Sequence, residues 1–482
     1  MSLRSKVLSG LFWTGGARLV GQLMTWAITL VIIRLLTPGD YGLVAMASVF
    51  VGFLALIAEA GLGPALVQMQ ELDDLKVRRI FGAVILIDLA LFALQFAAAP
   101  LIARFFQEER LVLIIRVLAL QFPIMIFTVI PNALLSRRLE FKSQSVIGLA
   151  SAVCGSLGSL ALALSGYGVW ALVLGGMIQA LCGAVAINVV APFLRWPDFS
   201  FKGMRGLIVF GGQLTASRVM WFLYSQADVF IAGRVLGKEL LGFYSISMHL
   251  ASLPVQKVAS IVNTVAYPAF AEAQNTPEKI PAYLLRVIRM LSFFSFPVLW
   301  GMSSIAGEIV TVLLGPKWDA AVVPMQLLPL VMPLTMFSTL LHTAFQGIGR
   351  SNVVFRNVCT AFLVMPAAFW IGTKWGLPGL SVAWLISFPL VFLVNLQRML
   401  PLVGLKVSDA LAAAALPALA AGGMYACVNI ARLFTTASLS APLQMAALIA
   451  TGAASFAAIT FVTNRRGIRE VVELFRAPKR TA

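Results

Sequence analysis

A few ionisable and hydrogen-bonding residues lie inside stretches that are otherwise apolar, and their spacing limits the chemistry they can do. Between Phe210 and Asn263 the sequence predicts two apolar helices joined between Gly237 and Gly242, and this hairpin holds Arg218, Asp228 and Lys257. A charge at the centre of a bilayer costs about 2.5–3.5 kcal/mol on insertion scales, so such residues face protein or a water-filled cavity. Ser245, His249, Ser252, Gln256, Ser260 and Asn263 recur at helical spacing in the second helix, as do Thr215, Arg218, Ser225 and Asp228 in the first. Each set therefore occupies one helical face. Two polar stripes describe either a solvated path or a seam of modest interhelical hydrogen bonds. An arginine needs a charge partner or water, which favours the path for Arg218.

The first predicted span repeats this chemistry with Thr14, Arg18, Gln22, Thr25 and Thr29 on one face. Arg18, Arg218, Arg116 in the fourth span and Lys257 form a set of cations able to hold an anionic group, and a guanidinium matches phosphate with two parallel N–H donors. Lys257 lies close enough to an interface for snorkelling to account for it. Gln22, Thr25, Ser225, Ser245, His249 and Gln256 are the expected polar lining. Glu59, Asp88, Asp228 and Glu308 are the acids within spans; each either carries a coupling proton or sodium ion or pairs with an arginine on a neighbouring helix.

The elements that must position these residues follow from composition. Of 482 residues 60% are hydrophobic and 11% charged, with a mean hydropathy of +0.93. The expected class is an all-α integral membrane protein of about fourteen transmembrane helices joined by short loops, with no inserted soluble domain. The N-terminal MSLRSKVLSGLFW is basic and then apolar without a following A-x-A site, and reads as a first retained helix. Cys154, Cys182, Cys359 and Cys427 fall far apart in apolar spans, as small core residues rather than a disulfide or metal framework. Prolines recur inside spans, among them Pro123, Pro254, Pro297, Pro333, Pro366 and Pro389, a pattern tolerated where neighbours or water satisfy the freed carbonyls.

With the N-terminus placed in the cytoplasm, the inside segments collect about three times as many Lys and Arg as the outside ones, which supports N-in, C-in topology. The same bias accounts for most of the +17 net charge without nucleic acid, and sets the basic tail against anionic lipid headgroups. A shift of 200 residues superposes Arg18 on Arg218, Arg34 on Arg234, Leu36 on Leu236 and Gly42 on Gly242. The expected organisation is thus two pseudo-symmetric six-helix lobes, 1–192 and 208–400, joined by a cytoplasmic linker 193–207 and followed by an extra helix pair 401–463 and a basic tail 464–482. There is no P-loop, HExxH or D-x-D, and His249 and His342 are the only histidines, which disfavours a membrane glycosyltransferase or polymerase and leaves no metal site or cofactor to expect.

The segments IIRLLTPGDYGLVAM (32–46), EAGLGPALVQ (59–68), PNALLSRRLEFK (131–142), GYGVWALV (166–173), ADVFIAGRVLGKELLGFYS (227–245) and LLGPKW (313–318) resemble, in order along most of the chain, bacterial polysaccharide flippases of the Wzx type. They are similar to the colanic-acid exporter branch, within the multidrug/oligosaccharidyl-lipid/polysaccharide exporter superfamily. The resemblance implies a twelve-helix core in two lobes around a central cationic cavity that alternates between inward- and outward-open forms. It implies transport of undecaprenyl-pyrophosphate-linked oligosaccharide repeat units from the cytoplasmic to the periplasmic leaflet of the bacterial inner membrane, with Arg18, Arg218 and Arg116 at the pyrophosphate. It further implies a prenyl-tail groove at the extra helix pair, Leu411 to Val462, and downstream coupling to the polymerase and chain-length machinery. An ion-coupled multidrug antiporter of the same superfamily is the nearest alternative; its cavity would be dominated by carboxylates and aromatics, whereas arginines prevail on the polar faces here.

Overall fold

The structure is a computed structural model that describes residues 21–59, 63, 66–67, 73–193, 195–200, 219, 221–435 and 440–465; at residues 59, 260–265 and 267–268 it describes the backbone alone. Among the described residues all regular structure is helical. In chain order the principal helices are α1 (Gly21–Leu35), α2 (Pro38–Glu59), α3 (Asp74–Phe106), α4 (Arg110–Ala119), α5 (Gln121–Arg137), α6 (Phe141–Leu164) and α7 (Val169–Val190). They continue with α8 (Ala227–Glu272), α9 (Ile280–Ser304), α10 (Val322–Gly347), α11 (Ser351–Gly372), α12 (Gly376–Met399), α13 (Val407–Thr435) and α14 (Ala441–Thr463). Among the described residues ten helical runs are long and apolar enough to cross a membrane; α4 with α5 forms one and α11 with α12 another. The all-α membrane class expected from composition is what the chain adopts.

Helix ends follow local chemistry. Asp73 caps α3 by accepting the Leu75 N–H at 3.2 Å, and Gln107 closes it in the left-handed region at φ 58°. With 33 residues, α3 runs for about 50 Å, more than the hydrocarbon thickness of a bilayer. At the start of α2 the Asp40 carboxylate accepts the Thr37 N–H at 2.9 Å and its hydroxyl at 2.6 Å. The predicted hairpin joint appears as a break at Gly237, whose φ of 80° and ψ of 178° interrupt α8; a side chain there would be strained.

Residue contacts divide the chain into two compact units, Met1–Gly242 and Phe243–Ala482. In the first, α6 and α7 approach closely because small residues face each other: Ser159 meets Gly175, Ser151 meets Gly183, and a Cβ at Gly155 would overlap Gln179. Cys154 and Cys182 lie near each other beside this seam. All four cysteines are free and none is buried, contrary to the expected core placement, since the seam itself is filled by Gly and Ser.

Two further features fix the first unit's ends. At one end the first turn of α2 and the part of α8 just after its break grip each other: a Cβ at Gly42 would overlap the Lys238 carbonyl, and one at Gly242 would overlap the Pro38 carbonyl. Around this contact Phe50, Phe106 and Phe230 meet at 5.9–6.1 Å, Phe105 stacks on Phe230 at 4.6 Å, and Lys238 pairs with Glu108 at 2.7 Å. At the other end the segment after α7 is strapped to the start of α3. Arg195 meets Asp74 at 2.6 Å, Arg79 meets Asp198 at 3.1 Å, Arg78 donates to the Trp196 carbonyl at 2.8 Å, and the Asp198 N–H donates to the Arg78 carbonyl at 3.0 Å. The Ser200 backbone N–H, and then Arg79, hold the Asp198 carboxyl below the usual carboxylate range.

In the second unit α10 lies against α9 and α12, with α11 on α12 and α13 between α9 and α14. The later half of α8 joins it through Tyr244, whose buried hydroxyl accepts the Trp384 N–H at 2.7 Å, and Ser247, which donates to the Ala321 carbonyl at 3.1 Å. Arg432 on α13 binds Glu308 after α9 with two parallel bonds of 2.8 and 3.0 Å.

Candidate functional site

On α8, the buried Tyr244, Ser247 and Ala251 share one face and fasten the helix to its unit. A helical period then turns Ser245, His249, Ser252 and Gln256 to a different side. His249 and Gln256 are exposed there, and the stripe is internally connected: the Ser252 hydroxyl donates to the His249 carbonyl at 2.9 Å, and Gln256 donates to the Ser252 hydroxyl at 3.0 Å. Ser245 alone keeps a buried hydroxyl without a partner. Lys257 is exposed at the next position. Of the stripe expected from spacing, His249 and Gln256 are thus exposed, Ser252 is half-buried and Ser245 turns its hydroxyl inward, while Ser260 and Asn263 fall among residues whose side chains are not described.

The first helix of the chain is less open than expected. Gln22 and Thr25 are half-buried, and the hydroxyls of Thr25 and Thr29 bond back to the carbonyls of Gly21 and Thr25 at 2.9 and 2.8 Å. Such back-bonding satisfies the hydroxyl inside its own helix. Ser225 likewise donates to the Phe222 carbonyl at 3.0 Å. Arg18 and Arg218 lie outside the described residues. Arg116 stands where α4 turns into α5, its guanidinium 4.6 Å from the ring centre of Phe96, with its Nε buried and unpartnered. The ring face supplies part of what water would give the cation.

The four acids divide by environment. Glu308 is engaged by Arg432, which also donates to the Ser304 carbonyl and to Asn429. Asp228 is buried in the first turn of α8, where it accepts the Val229 N–H at 2.8 Å. The Glu59 side chain lies outside the described residues. Asp88, midway along α3, is fully buried with neither carboxyl oxygen hydrogen-bonded.

A separate apolar cavity of about 220 Å³ opens in the second unit. Its walls are Ile288 and Phe296 of α9, Leu334, Phe337 and Leu341 of α10, Phe392 and Leu396 of α12, and the Ala410, Leu411, Ala414, Ala415 and Ala418 face of α13. The alanines leave the space: they stand at helical spacing on one face, and a methyl fills far less than the leucines and phenylalanines opposite. This wall is α13 together with α9, α10 and α12; α14 contributes none of it. The sequence signal was the alanine run from Ala412 to Ala415 inside LAAAALPALAAGG, which marks a thin helix face without saying what lies across it.

These features combine an open polar stripe with an apolar cavity in one unit, an arrangement able to receive a ligand with a polar head and a hydrocarbon tail. The profile of a family described as "Polysaccharide biosynthesis protein" matches residues 31–323. The teichuronic acid biosynthesis protein TuaB of Bacillus subtilis (strain 168) is 26% identical over 82% of this chain and 81% of its own. The succinoglycan biosynthesis transport protein ExoT of Rhizobium meliloti (strain 1021) is 26% identical over 93% of this chain and 91% of its own. Among solved structures, the lipid II flippase MurJ in an inward closed conformation superposes with a TM-score of 0.75 at 14% identity, over 94% of this chain and all of that one.

Proposed function

This chain belongs to the polysaccharide biosynthesis protein family, and on that premise we propose that it is a flippase for undecaprenyl-pyrophosphate-linked oligosaccharide repeat units. The observation that carries this reading is the presence, within residues 243–482, of both the polar stripe Ser245–His249–Ser252–Gln256, exposed at His249 and Gln256, and the apolar cavity against α13. A sugar pyrophosphate cannot enter hydrocarbon without replacing its water, and hydroxyl, amide and cationic groups supply that replacement. A prenyl chain needs the reverse, an apolar channel free of hydrogen-bonding groups, and the alanine face of α13 gives one. The names of the relatives point the same way: one is a transport protein for succinoglycan, and the fold neighbour is a flippase for lipid II.

In this reading Arg18 and Arg218 bind the pyrophosphate, with Arg116 and Lys257 as further cations, and the substrate moves from the cytoplasmic to the periplasmic leaflet by alternating access. The functional lobes are 1–192 and 208–400, joined by 193–207, with 401–463 as the extra helix pair, of which α13 holds the tail, and 464–482 as a basic cytoplasmic tail. Both termini face the cytoplasm of a bacterial inner membrane, as the Lys and Arg asymmetry supports. The polymerase and chain-length machinery receive the product in the outer leaflet.

The deciding experiment is translocation of an undecaprenyl-pyrophosphate oligosaccharide in proteoliposomes, comparing wild type with Arg18→Ala and Arg218→Ala at equal reconstitution. Each substitution is expected to lower flipping by tenfold or more, the equivalent of at least about 1.4 kcal/mol of lost binding. Flipping that survives both changes would remove the arginines from the pyrophosphate site. A wild type that moves no such lipid, yet confers tolerance to cationic dyes, would replace this reading with a multidrug antiporter.

A further inference from the structure

Asp88 is the one acid among the described span residues that the packing neither pairs nor exposes. It lies on the buried stripe of α3 between Val84 and Leu91, at no solvent exposure, with both carboxyl oxygens unpartnered. Along α3 it is about 21 Å from Asp74 and about 27 Å from Phe106, remote from both ends of the helix. Around this level α2, α3 and α5 contribute Ala58, Leu91 and Phe122, with Leu54, Ile57, Phe92 and Met125 packed on them. Gln95, two turns further along the same stripe, is also fully buried; its amide donates to the Ile115 carbonyl at 3.1 Å while its own oxygen is unpartnered.

Among the described residues, the helices packed on α3 bring few charges to this level. From α2 come Asp40 and Tyr41 at the Phe106 end, and Glu59, whose side chain is not described; from α4 come Arg110 and Arg116; from α5 comes Arg137, bonded to the Leu66 carbonyl. The first part of α8 adds Arg234 over Phe105 and Lys238 on Glu108, again at the Phe106 end. On α3 itself Asp74, Lys76, Arg78, Arg79 and Arg104 cluster near its two ends. Arg116, held over Phe96, is two helical turns from the level of Asp88.

An ionised carboxylate cannot remain in such a place without a counter-charge or hydrogen bonds. A sodium ion is a poor partner, because a hard cation demands several oxygen ligands, whereas the neighbours are aliphatic and aromatic; among the described residues no group of His, Cys, Asp and Glu is arranged to hold a metal ion. A proton needs only the carboxyl itself. From this geometry we infer that Asp88 binds and releases one proton in each transport cycle, so that protonation selects the packing of residues 1–242 seen here and ionisation requires another in which water reaches residue 88. The balance is simple: the neutral carboxyl gives a carboxylate and a proton to water, and regains it on return. This assignment rests on the flippase reading above and adds the driving ion to it.

The test places wild type, Asp88→Asn and Asp88→Glu in proteoliposomes with a fluorescent undecaprenyl-pyrophosphate oligosaccharide under an imposed pH gradient or an imposed sodium gradient. For one proton per cycle the wild-type leaflet distribution shifts by up to about tenfold per pH unit and ignores sodium. Asp88→Asn, held neutral in the packing seen here, is expected to flip more slowly and to lose the pH response, and Asp88→Glu to keep both. A wild type indifferent to the pH gradient, or an Asp88→Asn protein that responds as wild type does, overturns the proposal while leaving the flippase reading intact. A second readout needs no transport. The lipophilic reagent dicyclohexylcarbodiimide adds to protonated carboxyls in apolar surroundings, and peptide mass spectrometry should find it on Asp88 in the purified protein, declining as pH is raised. Asp88 unmodified at every pH, or modified equally at every pH, overturns it.

Discussion

Arg432 and Glu308 show how much a single residue's role depends on what stands opposite. In sequence Glu308 is one acid among four in apolar spans, and nothing within its own helix distinguishes it from Asp88. The structure gives Glu308 a bidentate guanidinium and Asp88 no partner at all. The difference comes from residue 432, over a hundred positions away, which no local pattern can reveal. Removing one member of the pair leaves a partly buried charge alone, so Glu308→Gln and Arg432→Gln are each expected to lower stability by about 1–3 kcal/mol. The double variant should lie closer to wild type than the sum of the two, a coupling that thermal unfolding in detergent would measure. The polar stripe of α8, by contrast, was legible, because its signal is a spacing of three and four residues within a single helix. The Thr25 hydroxyl shared that spacing, yet it serves its own backbone.

At the level of elements, most spans could be placed from apolar run length alone, while their interruptions could not. The break in α8 falls at Gly237, inside the expected joint, because glycine there supports a positive φ. The turn of α4 into α5 at Leu120 has no glycine or proline at that residue to announce it. The cavity beside α13 makes a direct prediction. Ala414→Leu or Ala415→Leu fills space that the prenyl reading assigns to hydrocarbon, and should slow flipping of a long-chain lipid by about tenfold. A short-chain analogue should be affected less, and equal loss on both would remove the cavity from the substrate path. The strap after α7 carries a pH dependence of defined sign. The Asp198 carboxyl titrates lower in the folded protein than in the unfolded chain, so its contribution is present above the unfolded value and is lost as pH falls through the folded one. Asp198→Asn should flatten the acid side of the stability profile, read by thermal unfolding from neutral pH downwards.

The all-α membrane class of the whole chain reads from its composition, a sum over many residues that survives errors at any one. What such sums leave open is which cation meets which substrate group, because Arg18, Arg116 and Arg218 look alike in any tally. Orientation is the property at this scale that remains to be measured: a reporter attached after Ala482 should be active on the cytoplasmic side only, and the opposite result would invert every leaflet assignment made above. The contact between residues 38–42 and 238–242 has a further meaning. Gly42 rests on the carbonyl of residue 238 and Gly242 on that of residue 38, so each partner plays for the other the part that the other plays for it. Contacts that exchange roles in this way belong to interfaces between identical subunits across a twofold axis. A single polypeptide here carries the handshake of a homodimer, and a side chain added to either hand should loosen the grip to a similar degree.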